Sequence, residues 1–309
     1  MILPKLWEIW ESNMNYSHTP VMLSEVLDFL EVGVGGKYID CTLGGAGYTM
    51  AIAQKIGSQG EVLSLDLDDK ALDNARQLIK SNQVSNIFLK RSNFKNITAA
   101  AQERWGKKVK VNGIVLDLGL SSFQLNDEAR GFSFKSEKSL NMAFGPDVLL
   151  DTINIVNQYS LLDLTRIFRE YGEEKRAYYL AKAIVARRQE KPIESAFELA
   201  ELIKSKVPIK FRGKIHPATK VFQALRMETN QELENLQTVL PAATNLLISG
   251  GKLVVVSFHS GEDRIVKNFF RNSSVLKIIT KRPIIANDSE KDLNPRSRSA
   301  KLRAAEKIL

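Results

Sequence analysis

Short apolar runs and helical patterns take turns along residues 36–117, and this alternation limits the fold more than any other feature. Strand patterns fall at 37–40, 61–66, 86–90 and 113–117. Between them, 49–56 and 70–81 carry apolar residues at helical spacing. Repeats of this kind build a parallel sheet with helices on its faces. A fifth strand is expected at 252–258, directly after Gly250 and Gly251, and its run Leu253-Val-Val-Val256 suits burial on both faces. The fold class is therefore α/β, with a Rossmann-like sheet.

No strand pattern interrupts the long stretch between the fourth and fifth strands. Ser195 with Glu198 has the spacing of a capping box opening a helix, and Ser160 with Asp163 looks similar. Residues 173–188 place Ala177, Leu180, Ala181, Ile184 and Val185 on one helical face. We expect 148–212 to be an inserted all-helical subdomain that recognises substrate. Residues 14–147 and 213–309 then form a discontinuous main domain, with 1–13 as an N-terminal extension. One or two long helices are expected over 218–248. The tail offers β-like runs at 275–281 and 302–308, separated by a polar loop.

Several classes are excluded. The 309 residues suffice for about two domains and a core that needs no staples. A single cysteine, Cys41, rules out an intrachain disulfide or a multi-cysteine metal site, and three histidines do not suggest a metal centre. No metal is expected. No apolar stretch is long enough to span a membrane. Glu8 and Glu11 argue against a signal peptide, so a cytoplasmic location is expected. Forty-four basic against 35 acidic residues leave a net charge of +9, which favours an anionic partner such as nucleic acid.

The richest segment runs from Asp40 through Gly44, Gly45, Ala46 and Gly47 to Tyr48. An acid ends the first strand, and a glycine-rich turn brings backbone amides to a helix start. A dinucleotide and S-adenosylmethionine compete for such a turn. The dinucleotide fingerprint fits poorly, since its third glycine would fall on Met50. Asp40 would also repel a pyrophosphate, whereas a sulfonium cofactor is positively charged. Asp66 ends the second strand, where a carboxylate can accept bonds from ribose hydroxyls. Asp117 ends the fourth, at the sheet edge where ligands bind.

These residues resemble the ribosomal small-subunit RNA methyltransferase H family, of the MraW type. The matching stretches are Tyr16-Ser-His18-Thr-Pro-Val21, residues 40–47, 113–122 with Gln124 and Leu125, and 130–134. They continue through 171–174, 216–219, 222–226, 257–260, 262–264 and 294–301. The resemblance implies a class I methyltransferase sheet with a helical insertion. It also implies transfer of a methyl group from S-adenosylmethionine to N4 of a cytidine in the decoding centre of 16S rRNA. Cofactor positions carried over are Ala46, Gly47, Tyr48, Asp66, Phe94, Asp117 and Gln124, beside Asp40 and Gly44 of the turn. The implied partner is the small ribosomal subunit; a homodimer is a further expectation.

Two departures stand out. The family usually has histidine at Tyr48. In the loop over 137–143, an acid and an arginine of the family are replaced by Asn141 and Ala143. The second reading is therefore a catalytically impaired RNA-binding or ribosome-assembly protein that keeps the fold.

Cytosine's exocyclic amine is a poor nucleophile that must be held in line and offered a hydrogen-bond acceptor. Asp117 is the candidate. Methylation at C5 would need a nucleophilic cysteine in the base pocket, and Cys41 sits in the cofactor turn instead. No nucleophile elbow supports a serine hydrolase. Ser257, His259 and Arg226 are expected to contact the base or RNA. Lys210, Arg212 and Lys214, with Arg296 and Arg298 of the tail, are expected to contact phosphates.

Overall fold

The computed structural model describes residues 20–120, 124, 130–137, 139–209, 212–213 and 215–309. Among these, the strands are β1 (Lys37–Asp40), β2 (Glu61–Asp66), β3 (Ile87–Arg91), β4 (Val111–Asp117), β5 (Leu247–Ser257), β6 (Leu276–Ile278) and β7 (Lys301–Lys307). They make one sheet in the order β3-β2-β1-β4-β5-β7-β6. β1 to β5 pair in parallel, and β7 runs antiparallel to both β5 and β6. This is the α/β, Rossmann-like sheet that the alternation along the chain implies. Strand order reverses between β1 and β4, so the ligand crevice belongs beyond their carboxyl ends.

The strands are apolar on both faces because both faces are covered. Val115, Val254 and Val256 pack with Ile52 and Leu72 on one side, whereas Ile114, Leu116 and Val255 pack with Ile97 and Leu240 on the other. The covering helices include α1 (Leu23–Leu30), α2 (Gly47–Ile56), α3 (Asp69–Ser81) and α4 (Ile97–Trp105). Neither α1 nor α4 stands out in the sequence. α4 buries mainly Ile97, Ala100 and Ala101, and small alanines leave only a faint apolar stripe.

Next come α5 (Thr152–Gln158), α6 (Leu161–Glu170), α7 (Ala177–Glu190) and α8 (Ala196–Lys206), then α9 (Thr219–Asn230) and α10 (Glu232–Leu246). A third core holds Ile155, Phe168, Ile184 and Leu199 together with Phe132, Leu140 and Phe222, so it draws on residues beyond 148–212. α7 starts later than expected because Glu173, at φ 48°, turns the chain out of the helix. The Ser195 hydroxyl accepts the Glu198 amide, but the Glu198 carboxylate turns to the Glu194 amide and to Arg187. The expected box is thus half formed. α9 and α10 are separated at Gln231, whose φ is 50°.

The last part of the chain departs further from expectation. The polar loop before β7 contains α12 (Asp288–Leu293) and a 3-10 turn, Pro295–Ser299, and follows α11 (Ser260–Asn272). α12 buries none of its residues, so it leaves no apolar period to read. β5 begins five residues early, and its pairing with β4 is irregular between Val111 and Gly113.

Candidate active site

The floor of the site is set at the end of β1. Asp40 is fully buried and accepts the Thr42 amide at 3.1 Å and the Thr49 hydroxyl at 2.7 Å. Thr49 Oγ1 also lies 2.7 Å from Ser64 Oγ, which ties α2 to β2. Burial pushes the Asp40 carboxyl up, and the Thr49 and Thr42 bonds oppose that. Thr49→Val should therefore cost about 1–3 kcal/mol by leaving buried oxygens unpaired. Urea denaturation checks this; an unchanged midpoint would show that the bonds stabilise nothing.

The turn itself needs left-handed backbone at Gly44 (φ 48°) and, unusually for a residue with a side chain, at Ala46 (φ 65°). At Gly47 a Cβ would lie 2.0 Å from Pro20 Cγ, so the helix start presses directly on the segment before α1. Asp66 secures the turn from β2: its Oδ2 accepts the Gly44 amide at 2.8 Å and its Oδ1 the Asp68 amide at 2.9 Å. Burial pushes the Asp66 carboxyl up to about 6, although both amides pull it down.

Asp117 closes the other side. Its amide donates to Thr42 Oγ1 at 2.7 Å, locking the end of β4 to the turn. Its Oδ1 is shielded from water and has no hydrogen-bond partner among the described residues. Burial pushes this carboxyl up to about 7; Arg296 opposes the shift, while Asp40 and Glu262 add to it. A buried carboxylate oxygen without a partner is costly unless a ligand supplies the donor.

The cleft between these elements encloses about 960 Å³, including space open to solvent. Of the expected cofactor positions, Gly44, Gly47, Tyr48, Asp66, Phe94, Asp117 and Gln124 line it. Asp40 and Ala46 do not: they stand behind the wall and shape the turn. Tyr48 is buried, and its hydroxyl donates to the Val21 carbonyl. Gln124 Nε2 donates to Asp68 Oδ2 at 3.2 Å, and Arg130 pairs with the same carboxylate.

The opposite wall corrects several expectations. Arg226 makes a two-pronged pair with Glu232, at 2.7 and 2.9 Å, and it is Glu232 that lines the cleft. Ser257 is buried in β5 with its hydroxyl donating to the Lys301 carbonyl at 3.3 Å, away from the lining. His259 is likewise absent from the lining. Its Nδ1 accepts the Gly261 and Glu262 amides at 3.1 and 3.4 Å, while Glu262 Oε2 accepts the Phe258 amide at 2.8 Å. This is a capping box on α11 with histidine as the cap. Burial raises the Glu262 carboxyl, but the His259 imidazole and the Phe258 amide outweigh it and hold it below the ordinary range. Glu262 faces the cleft, and its signals in the sequence are its place in the matching stretch 262–264 and its three-residue spacing from His259.

Two of the three expected phosphate contacts among the described residues are spent inside the protein. Arg212 donates to the Val207 and Lys204 carbonyls at 2.9 and 2.6 Å and so finishes α8. Arg298 donates to the Lys291 carbonyl at 3.0 Å. Arg296 is the exception, since it lines the cleft, bonds the Leu120 carbonyl and lies 5.6 Å over the Phe258 ring. Lys210 and Lys214 lie outside the described residues, as does the 1–13 extension. Among the described residues, no group of three His, Cys, Asp or Glu could hold a metal, and no helix is long and apolar enough to cross a membrane.

Carboxylates therefore dominate the cleft: Asp66, Asp117, Glu232 and Glu262 line it against one lining arginine. A pyrophosphate would be repelled there, and a ligand with cationic groups would be welcomed. The glycine turn and the Asp117 oxygen that lacks a partner among the described residues fit a sulfonium nucleoside.

Comparison with known proteins agrees. The model of the MraW methylase family matches residues 15–308. Ribosomal RNA small subunit methyltransferase H of Heliobacterium mobile is 42% identical over 315 residues, covering 96% of this chain and 100% of that protein. The protein of the same name from Thermomicrobium roseum is 43% identical over 316 residues, covering 96% of each. That of Carboxydothermus hydrogenoformans is 42% identical over 313 residues, covering 96% of this chain and 99% of that one. With a match that runs through sheet, insertion and tail alike, this chain belongs to the MraW methylase family.

Proposed function

We propose that this chain transfers a methyl group from S-adenosylmethionine to N4 of a cytidine in the decoding centre of 16S rRNA. The observation that carries the mechanism is the buried Oδ1 of Asp117 at the mouth of the sheet, which lacks a partner among the described residues. S-adenosylmethionine, when bound, would supply an electrophilic methyl group, its S–C bond breaking as N4 bonds the methyl carbon and the sulfur leaving as the neutral thioether of S-adenosylhomocysteine. Asp66 has lone pairs left for the ribose hydroxyls once it has accepted the two turn amides. Phe94 and Gln124 line the same cleft, where Phe94 offers an apolar face to the adenine.

Asp117 Oδ1 accepts an N–H of the cytosine amine, which draws the nitrogen lone pair out of ring conjugation and toward the methyl group. The same oxygen then takes the proton that N4 must lose. Arg296 supplies the counter-charge in the cleft, and the target base leaves its stack at a cost of a few kcal/mol. The helices of 148–212 recognise the RNA around the base. The enzyme works in the cytoplasm on the small ribosomal subunit; its expected homodimer is checked by sedimentation velocity.

Impairment through Asn141 and Ala143 is not favoured. Asn141 Oδ1 accepts the Ala143 amide at 2.9 Å, a bond that an aspartate would repeat. Arg130 donates to the Ala143 and Phe144 carbonyls at 2.7 Å, so the loop is held through its backbone. Asn141→Asp with Ala143→Arg should change the transfer rate less than threefold. A rise of tenfold or more would show that the loop limits this enzyme.

The direct test is transfer of label from S-adenosylmethionine to small subunits that lack the modification. Incorporation approaching one methyl per subunit is expected. No incorporation beside an active relative, with cofactor binding intact, would return the reading to a non-catalytic RNA-binding protein.

A further inference from the structure

Residues 175–188 hold five basic residues and no acidic one. Three of these have partners in the protein: Arg187 pairs with Glu198, Arg188 donates to the Val156 and Tyr159 carbonyls, and Arg176 is engaged as well. Lys175 and Lys182 are exposed, and neither makes an ion pair or hydrogen bond among the described residues. Between them, Tyr178 and Tyr179 are 52% and 53% exposed, although α7 has an apolar face of Ala177, Leu180, Ala181 and Ile184 to bury. On α7, Tyr178 and Tyr179 lie four and three residues before Lys182, so both rings flank that lysine on the helix surface, and Lys175 sits in the turn that leads into the helix.

The patch is tied to the catalytic end of the molecule. Glu173 accepts the Ser260 hydroxyl at the start of α11, two residues before the cleft-lining Glu262. The Glu173 carbonyl accepts Lys220 Nζ at 2.9 Å, and Gly172 packs so closely on Lys220 that a Cβ there would lie 2.4 Å from its carbonyl oxygen. Tyr179 is six residues from Glu173, at most ~21 Å along the chain.

We propose that Tyr178 and Tyr179, flanked by Lys175 and Lys182, form a stacking platform for unpaired nucleotides beside the target base. Two solvent-facing rings bracketed by uncommitted cations have the chemistry of a single-stranded RNA surface, in which rings take bases and lysines take phosphates. An apolar protein partner would not need the cations. The proposal rests on the rRNA methylation reading and gives the insertion its contact residues.

The test uses Tyr178→Ala/Tyr179→Ala and Tyr178→Phe/Tyr179→Phe in the full chain, with unmodified small subunits as substrate. Loss of stacking is worth roughly 5- to 150-fold per base. The alanine pair should raise KM for subunits at least tenfold, with kcat within threefold and cofactor affinity unchanged. The phenylalanine pair, which keeps the rings, should behave as wild type. Lys175→Gln/Lys182→Gln should flatten the dependence of log affinity on log salt by about 1.4. A wild-type KM for the alanine pair, or a phenylalanine pair as impaired as the alanine pair, overturns the platform. Filter retention of a labelled decoding-region RNA gives a readout independent of turnover. If the wild type transfers no methyl group, the methylation reading fails, yet the platform stands or falls on whether the alanine pair loses RNA. A defect on subunits without one on naked RNA would assign the patch to a protein contact and overturn the proposal.

Discussion

Asp117→Asn is expected to slow methyl transfer by about 10²–10³-fold at saturating cofactor and subunits, the range found when one aligned polar group is removed from a transition state. The side chain keeps its shape but loses the charge that draws the amine toward the methyl group. Its stability should move the other way. Burial raises the Asp117 carboxyl to about 7, so the folded state binds a proton there that the unfolded chain releases near 3.8. That favourable contribution is complete below pH 3.8 and is lost as pH rises through about 7. At pH 8 the asparagine variant should unfold at the same temperature as wild type or higher, which separates lost chemistry from a lost fold.

The same carboxyl sets the pH profile. Asp117 accepts the amine's hydrogen only when ionised, so kcat/KM for the cofactor should rise with pH through about 7 and then level off. A bound cation favours the carboxylate, so the rise in kcat should lie at lower pH than the rise in kcat/KM. A profile of unchanged shape in Asp117→Asn would assign the limb to another group.

Asp66→Asn should act on binding instead. The carboxylate holds the Gly44 amide and the Asp68 amide, and it keeps lone pairs for the ribose. An amide can accept on one oxygen only, so its NH₂ would face one of those donors. Charged hydrogen bonds are worth about 1.5–3 kcal/mol each, so cofactor Kd should rise roughly 10- to 150-fold. Saturating cofactor should restore kcat to within about threefold. Calorimetric titration reads the first effect and steady-state kinetics the second; a large fall in kcat at saturation would place Asp66 in the chemical step.

The contrast between acids and bases explains how much of the site could be read in the sequence. Asp66 and Asp117 end strands whose alternation with helices is visible, and strand ends at a switch point meet in one crevice. Asp40 shares that logic but sits one layer deeper, because Thr49 and Ser64 enclose it. Arginines reveal less, since a run of charges does not show which carbonyl or carboxylate lies within reach. Arg212, Arg226 and Arg298 are all engaged by the protein's own groups, and only Arg296 of the described candidates faces the cleft. His259 shows how a residue next to a strand end can be structural: it caps α11, and its partner Glu262 reaches the cleft. Glu232 was illegible for a similar reason, being brought in by the bend at Gln231.

The most direct measurement is nucleoside mass spectrometry of 16S rRNA after reaction with labelled S-adenosylmethionine, which identifies the atom that receives the methyl group. The account predicts label in N4-methylcytidine within the decoding-centre fragment, lost in Asp117→Asn. Label on C5 of the base, on a ribose hydroxyl or at another nucleotide would contradict the role given to Asp117.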